Sequence, residues 1–277
     1  MKTNLGFCIV LFVALMATSV QAQSSYYLYD DFNSKTIDPD KWIGTYVSTG
    51  DTGYLDFVCH IQSGTLHMLN YFYGNTSSDQ GSFRGTNRLL LPSDTPGIIG
   101  TIQVKAYELT DCFSNSSETQ VRARIGGGYF KTGTGTLAIG TVGANIFVRR
   151  LSGSTDKANV FEVVGNVYRC NDSYCGISTL LGSLEADVLG TLNKGEKVTL
   201  QLEWDQANHR FIFKRDNQPE VYINYKESDN WNPSWDDVLP PHDSRKRLDV
   251  LGDVPGCTSE PRPMAFIEVK FDDIYIK

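Results

Sequence analysis

Arg122 and Arg124 occupy the polar phase of an alternating run whose apolar phase is Val121, Ala123 and Ile125. A strand with that pattern turns both guanidinium groups away from the core. The strand's extension reaches Tyr129 and Phe130, so the surface is basic and partly aromatic. Sugar sites combine an aromatic platform for the apolar face of the ring with polar groups for its hydroxyls, and an acidic sugar fits this composition. The competing reading is two solvated arginines that pair with acids on neighbouring strands. Trp231 and Trp235 stand four apart in the Pro-rich, acidic stretch Glu227 to Asp243. They form either a ring-stacking platform at a rim or the miniature core of a long loop.

Other chemistries find less support, and no residue is assigned a catalytic role. The four histidines, His60, His67, His209 and His242, lack the i,i+4 spacing of a zinc peptidase, and no Gly-x-Ser-x-Gly elbow occurs. Gly126-Gly127-Gly128 follows the arginine run without the Lys-Ser/Thr of a phosphate loop, which predicts a tight bend. Cys170 and Cys175 bracket a short turn-rich loop and are expected to form a local disulfide, since neither a second cysteine pair nor a nearby histidine completes a zinc site. One further pair is expected among Cys59, Cys112 and Cys257, and spacing does not choose it. No metal ligand set is identified.

Residues 1–22 carry one charge at Lys2, an apolar run from Leu5 to Met16 and a Val20-Gln21-Ala22 ending. This is the pattern of a secretory signal peptide. The apolar run is too short for a membrane-spanning helix, which needs about 20 residues, and no later stretch reaches that length. Removal of the leader takes Cys8 with it, leaving five of six cysteines in an oxidising compartment. An odd number leaves one free or engaged in an intermolecular disulfide. The remaining 255 of 277 residues, 23–277, are expected to form a single domain. The net charge of −7 becomes −8 without Lys2, which argues against nucleic acid as a partner. The triplets at Asn75, Asn115 and Asn171 are glycosylation sequons and mark surface loops.

Period-2 alternation recurs along the whole chain, as in Ile102 to Tyr107 and Val198 to Trp204. The chain therefore reads as all-β. Strands are expected near Tyr26 to Phe32, Leu55 to Ile61, Leu66 to Phe72, Leu137 to Leu151 and Val160 to Val167, with a hairpin from Lys197 to Lys214. A last strand, Ala265 to Ile276, changes phase at Asp272-Asp273, which predicts a bulge or a change of sheet.

Three segments carry a resemblance: Asp30-Asp-Phe-Asn-Ser-Lys-Thr-Ile-Asp-Pro-Asp-Lys-Trp42, the hairpin Leu202-Glu-Trp-Asp-Gln-Ala-Asn-His-Arg-Phe-Ile-Phe213, and the closing Phe271-Asp-Asp-Ile-Tyr-Ile276. In order and placement they resemble the first strand, late hairpin and last strand of concanavalin A-like lectin/glucanase domains. The resemblance implies a jelly-roll sandwich of two curved antiparallel sheets with ligand on the concave face. It assigns Trp42 to packing and allows a structural calcium near Asp272. It implies no other cofactor. The β-glucanase branch places Glu-x-Asp-x-Glu on one strand. Here Glu185-Ala-Asp187-Val-Leu189 ends in Leu and Glu203-Trp-Asp205 runs into a turn. The preferred reading is a secreted lectin-like domain that binds a carbohydrate or glycoconjugate. The alternatives are a glycoside hydrolase or polysaccharide lyase with carboxylates from separate strands, such as Glu162 with Glu203, and a structural or adhesive extracellular protein.

Overall fold

The computed structural model describes residues 25–49, 54–74, 78–91, 94–238, 240 and 245–277. The leader, the sequon at Asn75, and His242 lie outside them. The strands are β1 (Tyr27–Asp30), β2 (Ile43–Thr49), β3 (Tyr54–Gln62), β4 (Thr65–Tyr73), β5 (Ser82–Leu91), β6 (Gly97–Thr110), β7 (Gln120–Lys131), β8 (Thr141–Leu151), β9 (Val160–Cys170), β10 (Ser178–Leu184), β11 (Thr191–Asn193), β12 (Lys197–Asp205), β13 (Arg210–Arg215), β14 (Val221–Asn224), β15 (Lys246–Pro255) and β16 (Met264–Ile276). One helical turn, α1 (Ala186–Leu189), interrupts them. The first sheet runs β14-β13-β12-β6-β16-β4-β3, with β1 added against β16. The second runs β10-β9-β8-β7-β15-β5-β2, with β11 added against β9. The pairings are antiparallel throughout.

Alternation decides which side of each strand is sealed. In β12, Val198, Leu200 and Leu202 are buried while Lys197 and Thr199 are exposed. In β7, Val121, Ala123 and Ile125 join the same core. The two sheets meet closely enough that glycine is required in places. A Cβ on Gly165 of β9 would lie 2.7 Å from the Phe213 ring of β13, and one on Gly85 of β5 would lie 2.6 Å from the Phe72 ring of β4. Each ring thus fills a place that a side chain on the opposite sheet would take.

The hairpin β12–β13 forms where expected. Asp205 closes it, accepting from the Asn208 backbone N–H at 3.3 Å and from Arg210 Nε at 2.8 Å, while His209 takes a left-handed φ of 53°. The phase change in β16 is a bulge: its register against β6 shifts between Asp272 and Tyr275, with Asp273 at φ 49°. Trp42 is buried, stacks on Phe32 and donates from Nε1 to Asp30 Oδ2 at 2.7 Å, so its role is packing.

Gly126-Gly127-Gly128 is a correction. The three glycines make no bend but lie inside β7, which continues to Lys131. A Cβ on Gly126 would stand 2.4 Å from the Ala144 carbonyl oxygen of β8, so close backbone approach is their use. Immediately beyond them the β7–β8 register shifts between Gly128 and Phe130. Among the described residues there are two disulfides, Cys170–Cys175 and Cys112–Cys257, and Cys59 is free. The second bridge ties the end of β6 in one sheet to the end of β15 in the other.

Candidate functional site

The outer face of the second sheet carries a cleft of about 290 Å³ whose lining includes Arg84, Arg88, Arg122, Arg124 and Arg247. Strand register brings these five together. Asp249 of β15 lies opposite Arg88 of β5 and Arg124 of β7, and Asp253 lies opposite Arg84. Because residues i and i+2 share a face, Arg247, Asp249 and Asp253 project on the same side as Arg122 and Arg124. Leu248, Val250 and Val254 point into the core instead. Asn145, Asn166 and Tyr168 extend the floor toward β8 and β9, and Tyr174 and Cys175 stand at its end.

The cationic lining rests on buried anions. Asp249 is fully buried; Arg124 donates to it from Nε, and Arg247 Nε lies 3.2 Å from its other oxygen. Asp253, nearly as buried, receives Arg84 Nε at 2.6 Å and Arg122 Nη2 at 3.1 Å. Arg247 also donates to the Tyr168 hydroxyl at 3.1 Å. Burial by itself would raise the Asp249 carboxyl, but Arg124 and Arg247 beside it prevail and hold it below the usual carboxylate range. Burial lowers Arg88 to about 10, with Arg247 adding to the effect, and lowers Arg122 to about 10 against the pull of Asp253. All remain cations at neutral pH. Among the described residues the cleft lining holds five guanidinium groups and no carboxylate; both aspartates lie beneath it. Opposite unit charges about 4 Å apart near a protein surface attract by roughly 4 kcal/mol at an effective dielectric near 20. An anion entering this cleft would meet several such cations at once.

Of the two readings of Arg122 and Arg124, the pairing with acids is seen, although the side chains are largely buried rather than solvated. The two arginines face out from the core, and they also pair with acids of the neighbouring strand β15. Tyr129 is not with them. It is buried with its ring edge-on to Phe211 and under the Lys246 ammonium, 4.1 Å from the ring centre. Trp231 is buried too, in an aromatic cluster with Phe130 and Tyr225, and Trp235 meets it edge-on at 5.3 Å. The outer side of Trp235 is covered by the Arg169 guanidinium at 4.0 Å. Asp237 anchors the same loop, accepting from the Tyr225 hydroxyl at 2.7 Å and lying 2.6 Å from His209 Nδ1. The aromatic residues at the cleft are Tyr168 and the exposed Tyr174, both of which sequence reasoning passed over. The signal for Tyr174 was its place inside the Cys170–Cys175 loop.

Paired carboxylates for hydrolysis are not assembled from Glu162 and Glu203. Glu162 lies on the outer face of the second sheet, bonded by Arg149 Nε at 2.7 Å. Glu203 lies on the first sheet, bonded by the Tyr26 hydroxyl at 2.9 Å and by Lys277 Nζ at 2.5 Å. Glu185 shares Arg149 with Glu162. At Asp272, where the resemblance allows a structural calcium, the Lys197 ammonium stands 3.6 Å from the carboxylate. The group Asp79, Cys112 and Cys257 gathers ligand-type atoms among the described residues, but both its sulfurs are in the disulfide. Among those residues no helix is long and apolar enough to cross a membrane.

Two antiparallel sheets stacked face to face, with the first and last strands paired in one of them, decide the architecture. The fold is a jelly-roll sandwich of two antiparallel sheets. No family model and no curated protein matches the chain. Among solved structures the chain is similar to the carbohydrate recognition domain of Emp46p in a potassium-bound form, at 14% identity and a TM-score of 0.33, covering 80% of this chain and 88% of that one. It is also similar to a glycosyl hydrolase family 16 protein from Mycobacterium smegmatis, at 10% identity and a TM-score of 0.37, covering 89% and 100%. A third is the CBM2 module of the evolved Dit of Lactobacillus casei BL23 phage J-1, at 11% identity and a TM-score of 0.35, covering 88% and 93%. At these identities each ligand and each reaction stays with its own chain.

Proposed function

We propose that this protein is a secreted, lectin-like domain that binds an acidic carbohydrate or glycoconjugate across the arginine face of its second sheet. The observation that carries the reading is the cleft itself: five guanidinium groups line it while the carboxylates of Asp249 and Asp253 are sealed below. Guanidinium forks match the planar oxygens of uronate and sulfate groups. Asn145, Asn166 and Tyr168 supply neutral partners for hydroxyls. The two disulfides fit a chain that works outside the cytosol, in keeping with the leader-like residues 1–22 and a single domain over 23–277.

Native affinity electrophoresis of residues 23–277 tests this, using gels that contain dextran, dextran sulfate or polygalacturonate. Retardation by dextran sulfate or polygalacturonate, none by dextran, and loss of retardation in Arg88→Ala/Arg122→Ala is the expected result. Equal migration of the folded protein in all three gels would remove the proposal. Retardation by neutral dextran alone would move the ligand to the neutral sugars.

A further inference from the structure

The cleft ends at a side chain with no structural duty. Tyr174 lines it and is 89% exposed, so its ring face is open to whatever enters the cleft. Its backbone, by contrast, is closely held. The loop is closed by the Cys170–Cys175 bridge. Inside it Asp172 Oδ1 accepts from the Tyr174 N–H at 2.8 Å and the Gly176 N–H at 3.1 Å, and Oδ2 accepts from the Ile177 N–H. These bonds, led by that from Tyr174, hold the Asp172 carboxyl below its ordinary range. The Asn171 N–H donates to the Ile177 carbonyl at 2.9 Å, and Asn171 Nδ2 reaches Thr179 at 2.9 Å. An exposed ring on a loop fixed in this way is pre-organised: little backbone entropy remains to be lost when a ligand settles on it.

We infer that Tyr174 is the ring platform of the cleft, packing on the apolar face of a pyranose whose carboxylate or sulfate is held by the arginines. The inference rests on the acidic-carbohydrate reading and narrows it to ligands in which charge and sugar ring are joined in one unit. The chain's own order supports the pairing of roles. β9 leads from Asn166 and Tyr168 on the cleft floor directly into Cys170 and the loop, so the ring stands at the edge of the same surface. Tyr168 and Arg247 are already bonded at that end. The ligand therefore lies with its ring toward β9 and β10 and its acid toward β15 and β7.

The test sets a sugar polyanion against one that has no rings. Binding of polygalacturonate and of inorganic polyphosphate is measured for the wild type, Tyr174→Ala, Tyr174→Phe and Arg88→Ala/Arg122→Ala. Tyr174→Ala is expected to weaken polygalacturonate binding about three- to tenfold and to leave polyphosphate binding unchanged, with Tyr174→Phe restoring the sugar polymer to within about twofold. In Tyr174→Trp, polygalacturonate should shift the emission of the added indole. An equal loss for both polymers in Tyr174→Ala would show that the loop merely shapes the cleft, and would overturn the inference. No loss for either, with the arginine variant still impaired, would overturn it while leaving the cleft's function intact. No loss in the arginine variant as well would remove both.

Discussion

Arg124 and Asp249 form an ion pair at the floor of the cleft: the carboxylate is wholly buried and the arginine side chain that lines the cleft above it is only 9% exposed. Burying two charges is expensive, and the pair recovers that cost only because other cations share the carboxylate. Arg247 lies 3.2 Å and Arg88 4.0 Å from its second oxygen. The aspartate is therefore the common floor of three guanidinium groups and fixes where each of them points.

Removing that floor should unfold the protein more readily. Asp249→Asn leaves buried cations without their counter-ion, and a loss of about 3–5 kcal/mol is expected, read by urea denaturation. The pH dependence follows from the same group. Its folded pKa is depressed, so its contribution is complete above the unfolded value of about 3.9 and disappears as pH falls through the lower folded value. Thermal melts of the wild type should drop steeply below about pH 4, and those of Asp249→Asn should drop less.

Salt and charge reversal separate a cationic site from a neutral one. Retention by an acidic polymer should fall as sodium chloride is raised from 0.15 M to 1 M, where the screening length shrinks from about 8 Å to about 3 Å. Arg122→Glu should cost roughly ten- to a hundredfold in affinity, the worth of a hydrogen bond to a charged group. Titration calorimetry with polygalacturonate fragments reads both.

Trp231 should matter to folding before binding. It is buried against Tyr225 and Phe130, so Trp231→Ala is expected to lose about 3–5 kcal/mol in chemical denaturation. A variant of unchanged stability that had lost ligand would return this residue to the binding surface.

The two disulfides should differ in weight. The Cys112–Cys257 bridge spans 145 residues and Cys170–Cys175 only five, so the first restricts the unfolded chain far more. Chain entropy puts them at about 5 and 2 kcal/mol. Cys112→Ser/Cys257→Ser should melt well below Cys170→Ser/Cys175→Ser in differential scanning calorimetry.

Strand phase made much of this fold and part of the site readable from the chain. Arg122 and Arg124 share one phase, and their outward direction follows from Val121, Ala123 and Ile125 alone. By the same count Tyr129 falls on the core phase, and the structure puts it there; its proximity in sequence suggested a company it does not keep. The partner strand β15 alternates as well, Arg247, Asp249 and Asp253 against Leu248, Val250 and Val254, but Leu251-Gly252 interrupts the pattern, and the residues that complete the site lie on its polar phase. Its register against β7 joins Arg122 to a carboxylate 131 positions away, and no local pattern encodes a pairing of that range. Spacing likewise left three cysteines interchangeable until the ends of β6 and β15 brought Cys112 and Cys257 together.

That second bridge also bears on how the molecule would respond to being pulled. It clasps one sheet to the other at a single end, so tension would part the layers from the opposite end and stop at the clasp. The 145 positions between its sulfurs could not be drawn out, and at roughly 3.4 Å per extended residue about 490 Å of contour would stay hidden until the bridge was cut. A chain pulled from its two ends would thus unravel only outside the bridge and then hold.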